Sequence, residues 1–292
     1  MKKLYYWLLA TRPKTLPVTL CPIALGICLA WQDDYTNILI STIIILSALF
    51  IQIGTNLAND YFDFIKGADT SERIGPIRMT QAGLLSQKEM LIGFSVAFII
   101  AFLLGFQLMI IGGLPIVIIG ILSLLFGFLY TGSPYSLAYL GIADIIAFLF
   151  FGPIASAGTY YLLTESFSTT ATLLGLSPGF FSMALLAVNN TRDIDEDRLA
   201  NKKTLAVRFG INTTRFEYII ALFLGTMIPL LIFYKTQMLL SFLFAIPLLF
   251  SLLPSKYIFI ENRERLNMLL PLTVITEVMV TVISCILIFL SV

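Results

Sequence analysis

The feature that most constrains the fold of this chain is its succession of long apolar stretches. Hydrophobic residues make up 58% of the 292 residues, and charged residues only 12%. A helix needs about 20 mostly apolar residues to cross a bilayer, and it satisfies its own backbone hydrogen bonds there. We therefore expect nine spanning helices, at residues 16–31, 38–64, 90–111, 114–130, 140–163, 170–190, 218–234, 238–253 and 268–290.

These helices predict an all-α integral membrane protein, with about nine helices in a bundle around a central cavity. Only Gly112-Gly113 separates the third span from the fourth, which predicts a tight helical hairpin. Because no stretch has the composition of a separate soluble domain, we expect residues 1–292 to form a single transmembrane domain.

The basic residues are distributed unevenly between the two ends of the predicted helices. All but one of the 18 Lys and Arg residues fall before the first helix or in the loops after the second, sixth and eighth. The exception, Lys235, lies on the opposite side with Asp33, Asp34 and Glu165. Since cytoplasmic loops carry the excess of Lys and Arg, we expect a cytoplasmic (inner) membrane protein with its N-terminus in the cytoplasm and its C-terminus outside.

The scarcity of other reactive side chains narrows the chemistry. The chain has no histidine, which removes the commonest general base and the usual zinc and iron ligands. Its three cysteines, Cys21, Cys28 and Cys285, lie in apolar stretches without metal-site spacing, so we interpret them as core residues. A net charge of +1 argues against nucleic acid as a partner. Carboxylate chemistry is the main option that is left.

Two acidic clusters lie at the ends of apolar stretches, at residues 56–63 and 189–197. In each cluster an Asn stands four residues before an Asp. At about 100° per residue, the polar residues of each cluster share one helical face. These residues are Asn56, Asn59, Asp60 and Asp63 in the first cluster, and Asn189, Asp193 and Asp197 in the second. The repeat predicts two oxygen-rich faces across a cavity, on the cytoplasmic side, of the kind that hard divalent cations prefer.

These faces predict a membrane enzyme that binds a diphosphate through Mg2+. Mg2+ takes one or two protein carboxylates and completes its shell with water and phosphate oxygens. Basic residues near both clusters would balance the charge of a departing diphosphate: Lys66, Arg73 and Arg78 after the first, and Arg192, Lys202, Lys203 and Arg208 around the second. The apolar helices would hold a hydrocarbon tail, so a polyprenyl diphosphate fits both halves of the pattern.

Plainer interpretations exist for some of these charges. An acidic pair at a helix end often only caps the helix, but the recurrence of Asn and Asp at one offset disfavours that interpretation. Lys202 and Lys203 are equally well explained as charges that set the topology. Asp195 and Glu196 point away from the face that carries Asp193, so we interpret them as solvated.

At the two acidic clusters the chain resembles the UbiA superfamily of intramembrane aromatic prenyltransferases. Residues 59–63, Asn-Asp-Tyr-Phe-Asp, with Lys66-Gly67 and Asp69 after them, are similar to the first Asp-rich motif of that family. Residues 192–197 followed by 203–208, Lys-Thr-Leu-Ala-Val-Arg, are similar to the second. Four further stretches resemble the branch that prenylates 1,4-dihydroxy-2-naphthoate in menaquinone biosynthesis: residues 12–17, 75–84, 130–134, and 150–153 with 158–161.

The resemblance implies a magnesium-dependent transfer and a role for each matching residue. The catalytic metal ligands would be Asp60, Asp63, Asp193 and Asp197, with Asn56, Asn59 and Asn189 beside metal or phosphate. The residues that neutralise the diphosphate would be Lys66, Arg78, Arg192 and Lys203. A polyprenyl group would pass from its diphosphate to the naphthoate, with loss of CO2 and diphosphate, giving demethylmenaquinone. The implied partners are these two substrates and the lipid bilayer.

Several residues keep two interpretations. Asp144 stands where the family is expected to have Glu, so a role in binding the acceptor competes with simple pairing inside the bundle. Glu277 also lies within a span, where the plainer interpretation is favoured. Tyr130, Tyr160 and Tyr161 are candidates for lining the cavity or shielding a cation, and interfacial anchoring explains them as well.

Two other functions fit parts of the pattern. Another aromatic acceptor, such as 4-hydroxybenzoate, would preserve the fold and the metal motifs. A secondary transporter with a twofold repeat would have carboxylates near the membrane midplane, whereas these acids lie near the cytoplasmic ends of their helices.

Overall fold

The computed structural model describes residues 2–67, 74–130, 132, 137–260 and 262–291. Asp69 and Arg73, predicted to belong to the first motif and its basic loop, lie outside the described residues, and so do residues 131 and 133–136 of the stretch that follows Tyr130.

The described residues form fourteen α-helices, which we number in chain order. They are α1 Lys2–Ala10, α2 Leu16–Gln32, α3 Ile38–Ile65, α4 Gln87–Leu129, α5 Leu137–Leu140, α6 Ala143–Phe150, α7 Pro153–Thr164, α8 Thr169–Arg192, α9 Ile194–Leu199, α10 Leu205–Phe209, α11 Ile211–Tyr234, α12 Met238–Ser241, α13 Ala245–Tyr257 and α14 Leu269–Leu290. Short 3-10 segments lie at Pro13–Thr15, Phe242–Phe244 and Arg263–Met268.

Eight helical segments of the described chain are long and apolar enough to cross a membrane. The longest, α4, has 43 residues, about twice the length that one crossing needs. At Gly113 its backbone has a φ of 61° and a ψ of −153°, a conformation that glycine adopts without the steric cost of a Cβ. α4 is therefore two helices joined by a sharp turn, which confirms the predicted hairpin. With its halves counted separately, the described residues give nine crossing segments in an all-α membrane bundle, as predicted.

Three predicted spans differ in detail from the observed helices. Residues 140–163 form α6 and α7, because Gly152 is non-helical and Pro153 begins a new helix. A Cβ on Gly152 would lie 2.7 Å from the carbonyl oxygen of Gly175 in α8, so the break lets two helices approach closely. Residues 238–253 are divided between α12, a 3-10 turn and α13. α11 begins at Ile211, before the predicted start at residue 218. The apolar pattern did not include its first turns because they are polar.

Helix α8 is the centre of the bundle. Its apolar window is 67% buried, a larger share than in any other of the eight segments, and it packs against α2, α6, α7, α11 and α14. Helix α3 packs mainly on α4. Both α3 and α8 end at the same side of the bundle, so the two acidic clusters at their C-terminal ends line one cavity.

Candidate active site

The described residues surround a polar cavity of about 620 Å³ between the ends of α3 and α8. Both acidic clusters contribute to its wall, as do the segment 75–79 and the start of the chain. Its charged and amide side chains are Arg12, Lys14, Asn59, Asp63, Arg78, Asn189, Asn190, Arg192, Asp193, Glu196, Asp197, Lys202 and Asn267. An apolar cavity of about 220 Å³ adjoins it, and Tyr130 lines both. A charged headgroup and a hydrocarbon tail therefore have adjacent compartments.

The first acidic cluster divides into two pairs. Asn59 and Asp63 line the polar cavity. Asn56 and Asp60, in contrast, contact two neighbouring segments of backbone. The Nδ2 of Asn56 donates to the carbonyl oxygen of Thr11 at 2.9 Å. The carboxylate of Asp60 accepts from two backbone amides, those of Met79 at 2.8 Å and Thr80 at 3.0 Å. The four residues share a broad face, as predicted, but the structure brings only Asn59 and Asp63 to the cavity wall.

Asp63 connects the first cluster with the second. Its Oδ2 accepts from Nη2 of Arg78 at 2.9 Å, and both side chains are buried. The Nζ of Lys202 lies 3.9 Å from Oδ1 of Asp63 and 3.6 Å from Oδ1 of Asp197. One lysine therefore spans the two motifs, and the predicted approach of the two acidic clusters is observed.

The second cluster is organised by Arg192. Its guanidinium forms a bidentate pair with Asp193, at 2.5 Å and 2.7 Å, and donates from Nη1 to Oδ1 of Asn267 at 2.8 Å. Helix α8 ends at this arginine, and α9 then turns the chain so that Asp197 also faces the cavity. Burial raises the pKa of Asp197 to about 6, with Lys202 acting in the opposite direction and Asp193 adding to the increase. A cation close to Asp197 would therefore stabilise the ionised form of its carboxylate.

The predicted basic residues lie at different positions relative to the cavity. Arg78 and Arg192 line the cavity. Lys66 is not among the residues that line it. Its Nζ lies 4.8 Å from the ring centroid of Tyr139, and desolvation lowers the pKa of its amine, opposed by Asp63. Lys203 is exposed, and its backbone N–H donates to the carbonyl oxygen of Tyr139 at 3.3 Å. Lys203 does not line this cavity, whereas Lys202, the residue before it, does. A contact between Lys203 and a diphosphate stays a prediction.

Two acids on α6 and α9 are engaged in hydrogen bonds. Asp144 is buried, and its Oδ1 accepts from Nδ2 of Asn190 at 3.3 Å. Since Asn190 lines the polar cavity, Asp144 lies directly behind the wall. Glu196 is not the solvated residue that its helical position predicts, because its Oε1 accepts from the backbone N–H of Ile74 at 3.2 Å.

The remaining candidates lie away from the polar cavity. Tyr160 donates to Oδ2 of Asp33 at 2.6 Å, and Tyr161 stacks on Phe167 with ring centroids 4.7 Å apart, both at the opposite end of the bundle. Glu277 is buried in α14. Of the three tyrosines, Tyr130 is the one on the cavity wall.

Sequence reasoning missed several residues of the wall. Asn267 accepts from Arg192 and donates to the carbonyl oxygen of Ile74 at 3.0 Å. Thr204 lines the cavity, and its buried hydroxyl has no hydrogen-bond partner among the described residues. Arg12 lies in residues 12–17, a stretch that resembles the family, and it also lines the cavity. Asn267 carries no local signal, because it lies far from both clusters in the sequence.

The donor set fits a divalent cation. The Oδ1 of Asp63 is buried and accepts no hydrogen bond from the described residues, although Lys202 lies near it, and such an orphaned oxygen needs an explanation. In the part of the chain that the structure describes, no three acidic or cysteine side chains form a complete metal site. Mg2+ takes one or two protein carboxylates and completes its shell with phosphate oxygens and water. Asp63, Asp193 and Asp197 of the two motifs face this space, together with Glu196.

Comparison with known proteins decides the family. Residues 19–268 match the sequence profile of the UbiA prenyltransferase family. The chain belongs to that family. It is therefore an integral membrane enzyme that transfers prenyl groups, which confirms the resemblance noted in the two motifs and leaves the transporter interpretation without support.

Individual relatives agree with this assignment. A 1,4-dihydroxy-2-naphthoate octaprenyltransferase of Escherichia coli (strain K12) is 33% identical over 234 residues, which cover 78% of this chain and 75% of that protein. The protein of the same name from Haemophilus influenzae is 37% identical over 234 residues, covering 76% and 74%.

Solved structures share the fold. A UbiA homolog from Archaeoglobus fulgidus bound to GPP and Mg2+ has a TM-score of 0.68 at 14% identity, with 97% of this chain and 99% of the other covered. A digeranylgeranylglyceryl phosphate synthase has a TM-score of 0.63 at 18% identity, with 99% of both chains covered. At these identities the likeness establishes the architecture of the UbiA prenyltransferase family for this chain.

Proposed function

We propose that this enzyme transfers a polyprenyl group from polyprenyl diphosphate to 1,4-dihydroxy-2-naphthoate, with Mg2+ as its cofactor. The observation that carries the proposal is the position of Lys202 between Asp63 and Asp197, in a charged cavity that adjoins an apolar one at Tyr130. The relatives at 33% and 37% identity carry this acceptor in their names, which supports the choice of substrate.

The polar cavity is the proposed site of the diphosphate. Asp63, Asp193 and Asp197 would hold Mg2+, with Asn59 and Asn189 supplying further oxygens. When bound, Mg2+ neutralises phosphate oxygens and stabilises the charge of the leaving diphosphate. The basic residues of the wall bind the same anion directly: Arg12, Lys14, Arg78, Arg192 and Lys202. The hydroxyl of Thr204 is a further donor for a phosphate oxygen.

The apolar cavity is the proposed site of the prenyl tail. Its wall combines aliphatic side chains with Phe126, Phe150 and Phe151. Such a wall excludes water from the allylic carbon and so prevents hydrolysis of the cation that forms there. Tyr130 lies where the two cavities meet. Its ring is therefore the proposed neighbour of the reacting carbon, where a π face stabilises positive charge.

The reaction then needs little proton chemistry from the protein. The C–O bond of the allylic diphosphate breaks, and its electron pair leaves with the diphosphate, which the basic residues hold. The naphthoate carbon that bears the carboxylate forms the new C–C bond, and the C–CO2 bond returns its electron pair to the ring as CO2 departs. The product is the prenylated naphthalenediol, the reduced form of demethylmenaquinone. Since no ring proton is removed, a chain without histidine is adequate for this chemistry.

The acceptor is proposed to bind beside Asn190. Its side-chain amide is oriented by the buried carboxylate of Asp144, and Asn190 itself lines the polar cavity. An amide held in this way recognises a hydroxyl or carboxylate group of the naphthoate by hydrogen bonding. Asp144 would thus act on the acceptor through Asn190.

The proposed orientation follows from the basic residues. The polar cavity lies at the end of the bundle that carries nearly all of them. By the positive-inside rule this end faces the cytoplasm. The enzyme would then lie in the cytoplasmic membrane, with its N-terminus and active site inside and its C-terminus outside.

A purified-enzyme assay tests the function. The full chain in detergent would receive a polyprenyl diphosphate and 1,4-dihydroxy-2-naphthoate, with and without Mg2+, and prenylated product and CO2 would be followed. We expect Mg2+-dependent product and one CO2 per product. A parallel assay with 4-hydroxybenzoate serves as the acceptor control, and product from that acceptor alone would reassign the substrate.

A further inference from the structure

Two arginines of the polar cavity wall stand next to backbone groups that α3 holds from behind. Thr11, whose carbonyl oxygen accepts from Asn56, immediately precedes Arg12. Met79, whose N–H donates to Asp60, immediately follows Arg78. Both arginines line the polar cavity, and neither Asn56 nor Asp60 belongs to its described wall. The same helix face thus anchors two separate segments, each directly beside a cavity arginine.

We propose that Asn56 and Asp60 are positioning residues that hold the backbones next to Arg12 and Arg78, and that neither binds the metal. The proposal rests on the proposed function for its substrate. Helix α3 would thus set the positions of the two diphosphate-binding arginines. Asn59 and Asp63 would then be the residues of the first motif that face metal and phosphate.

The contacts of Asp60 support this role in detail. Its carboxylate is 3% exposed and uses one oxygen for each of two successive amides. These amides begin a compact turn in which the N–H of Ala82 donates to the carbonyl oxygen of Arg78 at 3.0 Å. A carboxylate that caps two N–H groups behaves as an N-cap, which stabilises such a turn. The side chain of Met79 is buried in a small core with Leu57 and Phe94, so the turn is fixed against α3.

The other end of the Arg78 segment is held as well. The N–H of Ile74 donates to the carboxylate of Glu196, and the carbonyl oxygen of Ile74 accepts from Asn267. Residues 75–78 therefore run along the cavity wall between two fixed ends. Arg78 reaches Asp63 from this position at 2.9 Å. A segment held at both ends presents its arginine with little conformational entropy left to lose on binding.

The contact of Asn56 differs from that of Asp60 in its chemistry. Asn56 acts as a donor, because its Nδ2 meets the carbonyl oxygen of Thr11. Arg12, the next residue, has a φ of 54° in the left-handed region, which costs free energy for a residue with a Cβ. An anchor at Thr11 helps to keep this turn in place. Asn56→Asp would remove the donor and yet add a better metal ligand, so this variant separates the two roles.

Hydrogen exchange in the metal-free protein is the first test, because it needs neither substrate nor turnover. Asp60→Asn should raise the exchange rate of peptides that contain Met79 and Thr80 by about ten-fold, since the amide group cannot accept from both N–H groups. Asp63→Asn is the matched control, with the same change one turn away, and should leave those amides within about two-fold of the wild type. Equal exchange in Asp60→Asn and the wild type would overturn the positioning role.

Kinetics separate positioning from metal binding. In Asp60→Asn and in Asn56→Asp we expect the KM for polyprenyl diphosphate to rise about ten-fold, while the Mg2+ concentration at half-maximal rate changes by less than about two-fold. In Asp63→Asn that Mg2+ concentration should rise by more than about ten-fold. Combining Asp60→Asn with Arg78→Lys should raise the KM little beyond the value for Arg78→Lys alone. Both variants weaken the same proposed contact, that of Arg78 with the diphosphate. If Asp60→Asn shifts the Mg2+ dependence as far as Asp63→Asn does, Asp60 is a metal ligand and the proposal fails.

A second variant covers the case in which Asp60→Asn does not fold. Glu196→Ala removes the acceptor for Ile74 and should raise the same KM, and Glu196→Gln should restore it, because an amide oxygen accepts the same bond. A wild-type protein without any prenyl transfer would count against the proposed function alone, since the exchange experiment stands independently of it.

Discussion

The Nζ of Lys202 lies 3.9 Å from Oδ1 of Asp63, so a basic residue that follows the second acidic cluster pairs with a carboxylate of the first cluster. The same amine is 3.6 Å from Asp197. A lysine between two carboxylates balances charge that a buried site cannot leave uncompensated. A departing diphosphate would meet a cation held midway between the two motifs.

Asp63, Asp193 and Asp197, the aspartates that face the cavity, should be needed for a high rate of turnover. Asp63→Asn, Asp193→Asn or Asp197→Asn each removes a charge that a hard cation requires, so the rate of prenyl transfer should fall by about 1,000-fold or more. The measurement is product formation by purified protein that elutes as a single species. Asp195→Asn is the control, because that side chain is 61% exposed beside Arg263, and an exposed ion pair contributes little. An active Asp197→Asn enzyme would remove that residue from the metal site.

Adjacent lysines should differ in importance. Lys202→Gln removes the cation between Asp63 and Asp197 and should raise the KM for polyprenyl diphosphate by about ten-fold or more. Lys203→Gln changes an exposed side chain, and its KM should stay within about two-fold of the wild type. Initial rates over a range of diphosphate concentrations give both values. The reverse order of effects would show that Lys203, as its resemblance to the family motif implies, is the residue that binds phosphate.

The depth of the apolar cavity should limit the length of the prenyl tail. Gly105 lines it, and a Cβ there would meet Oγ of Ser47 at 3.4 Å, an ordinary contact distance. Gly105→Phe therefore adds a ring to the wall without a backbone clash. We expect the rate with long donors to fall by about ten-fold and the rate with short donors to change little.

Competition between donors of different length in one reaction measures this preference. Ile99→Phe is the control, since Ile99 belongs to the same helix and its side chain is 58% exposed. If Gly105→Phe reduces long and short donors equally, the tail does not occupy this cavity.

Topology can be tested at two exposed lysines. Lys235 follows α11 and Lys256 lies near the end of α13, so a helical segment separates them. In a cysteine-free background, Lys235→Cys should react with a membrane-impermeant maleimide in intact cells. Lys256→Cys should react only after permeabilisation, because the positive-inside rule places it in the cytoplasm. Labelling of Lys256→Cys in intact cells would invert the proposed orientation.

Most of the fold could be predicted because spanning segments are local properties of the sequence. An apolar stretch of sufficient length crosses the bilayer wherever its neighbours lie, and the hairpin at Gly113 was marked by a glycine pair. The errors occur where local composition misleads. The polar first turns of α11 hide its beginning, and the break at Gly152 depends on how closely α7 approaches α8.

The site could be predicted only to the level of the motif. Residues that share a helical face spread over roughly 100°, and such a face meets more than one neighbour. On α3 the neighbours are two backbone segments for Asn56 and Asp60, and the cavity for Asn59 and Asp63. Nothing in the spacing tells these pairs apart, because the rotation of a helix about its axis is set by packing.

The sequence by itself determined the membrane bundle, the uneven distribution of charge and the two acidic motifs, since hydropathy, charge and motif spacing can be read from consecutive residues. The tertiary structure decided that Lys202 rather than Lys203 lies between the motifs, that Asp60 caps a turn, and that Asn267 joins Arg192 to Ile74. Those outcomes depend on where distant segments meet, and such long-range contacts arise only when the helices pack against one another.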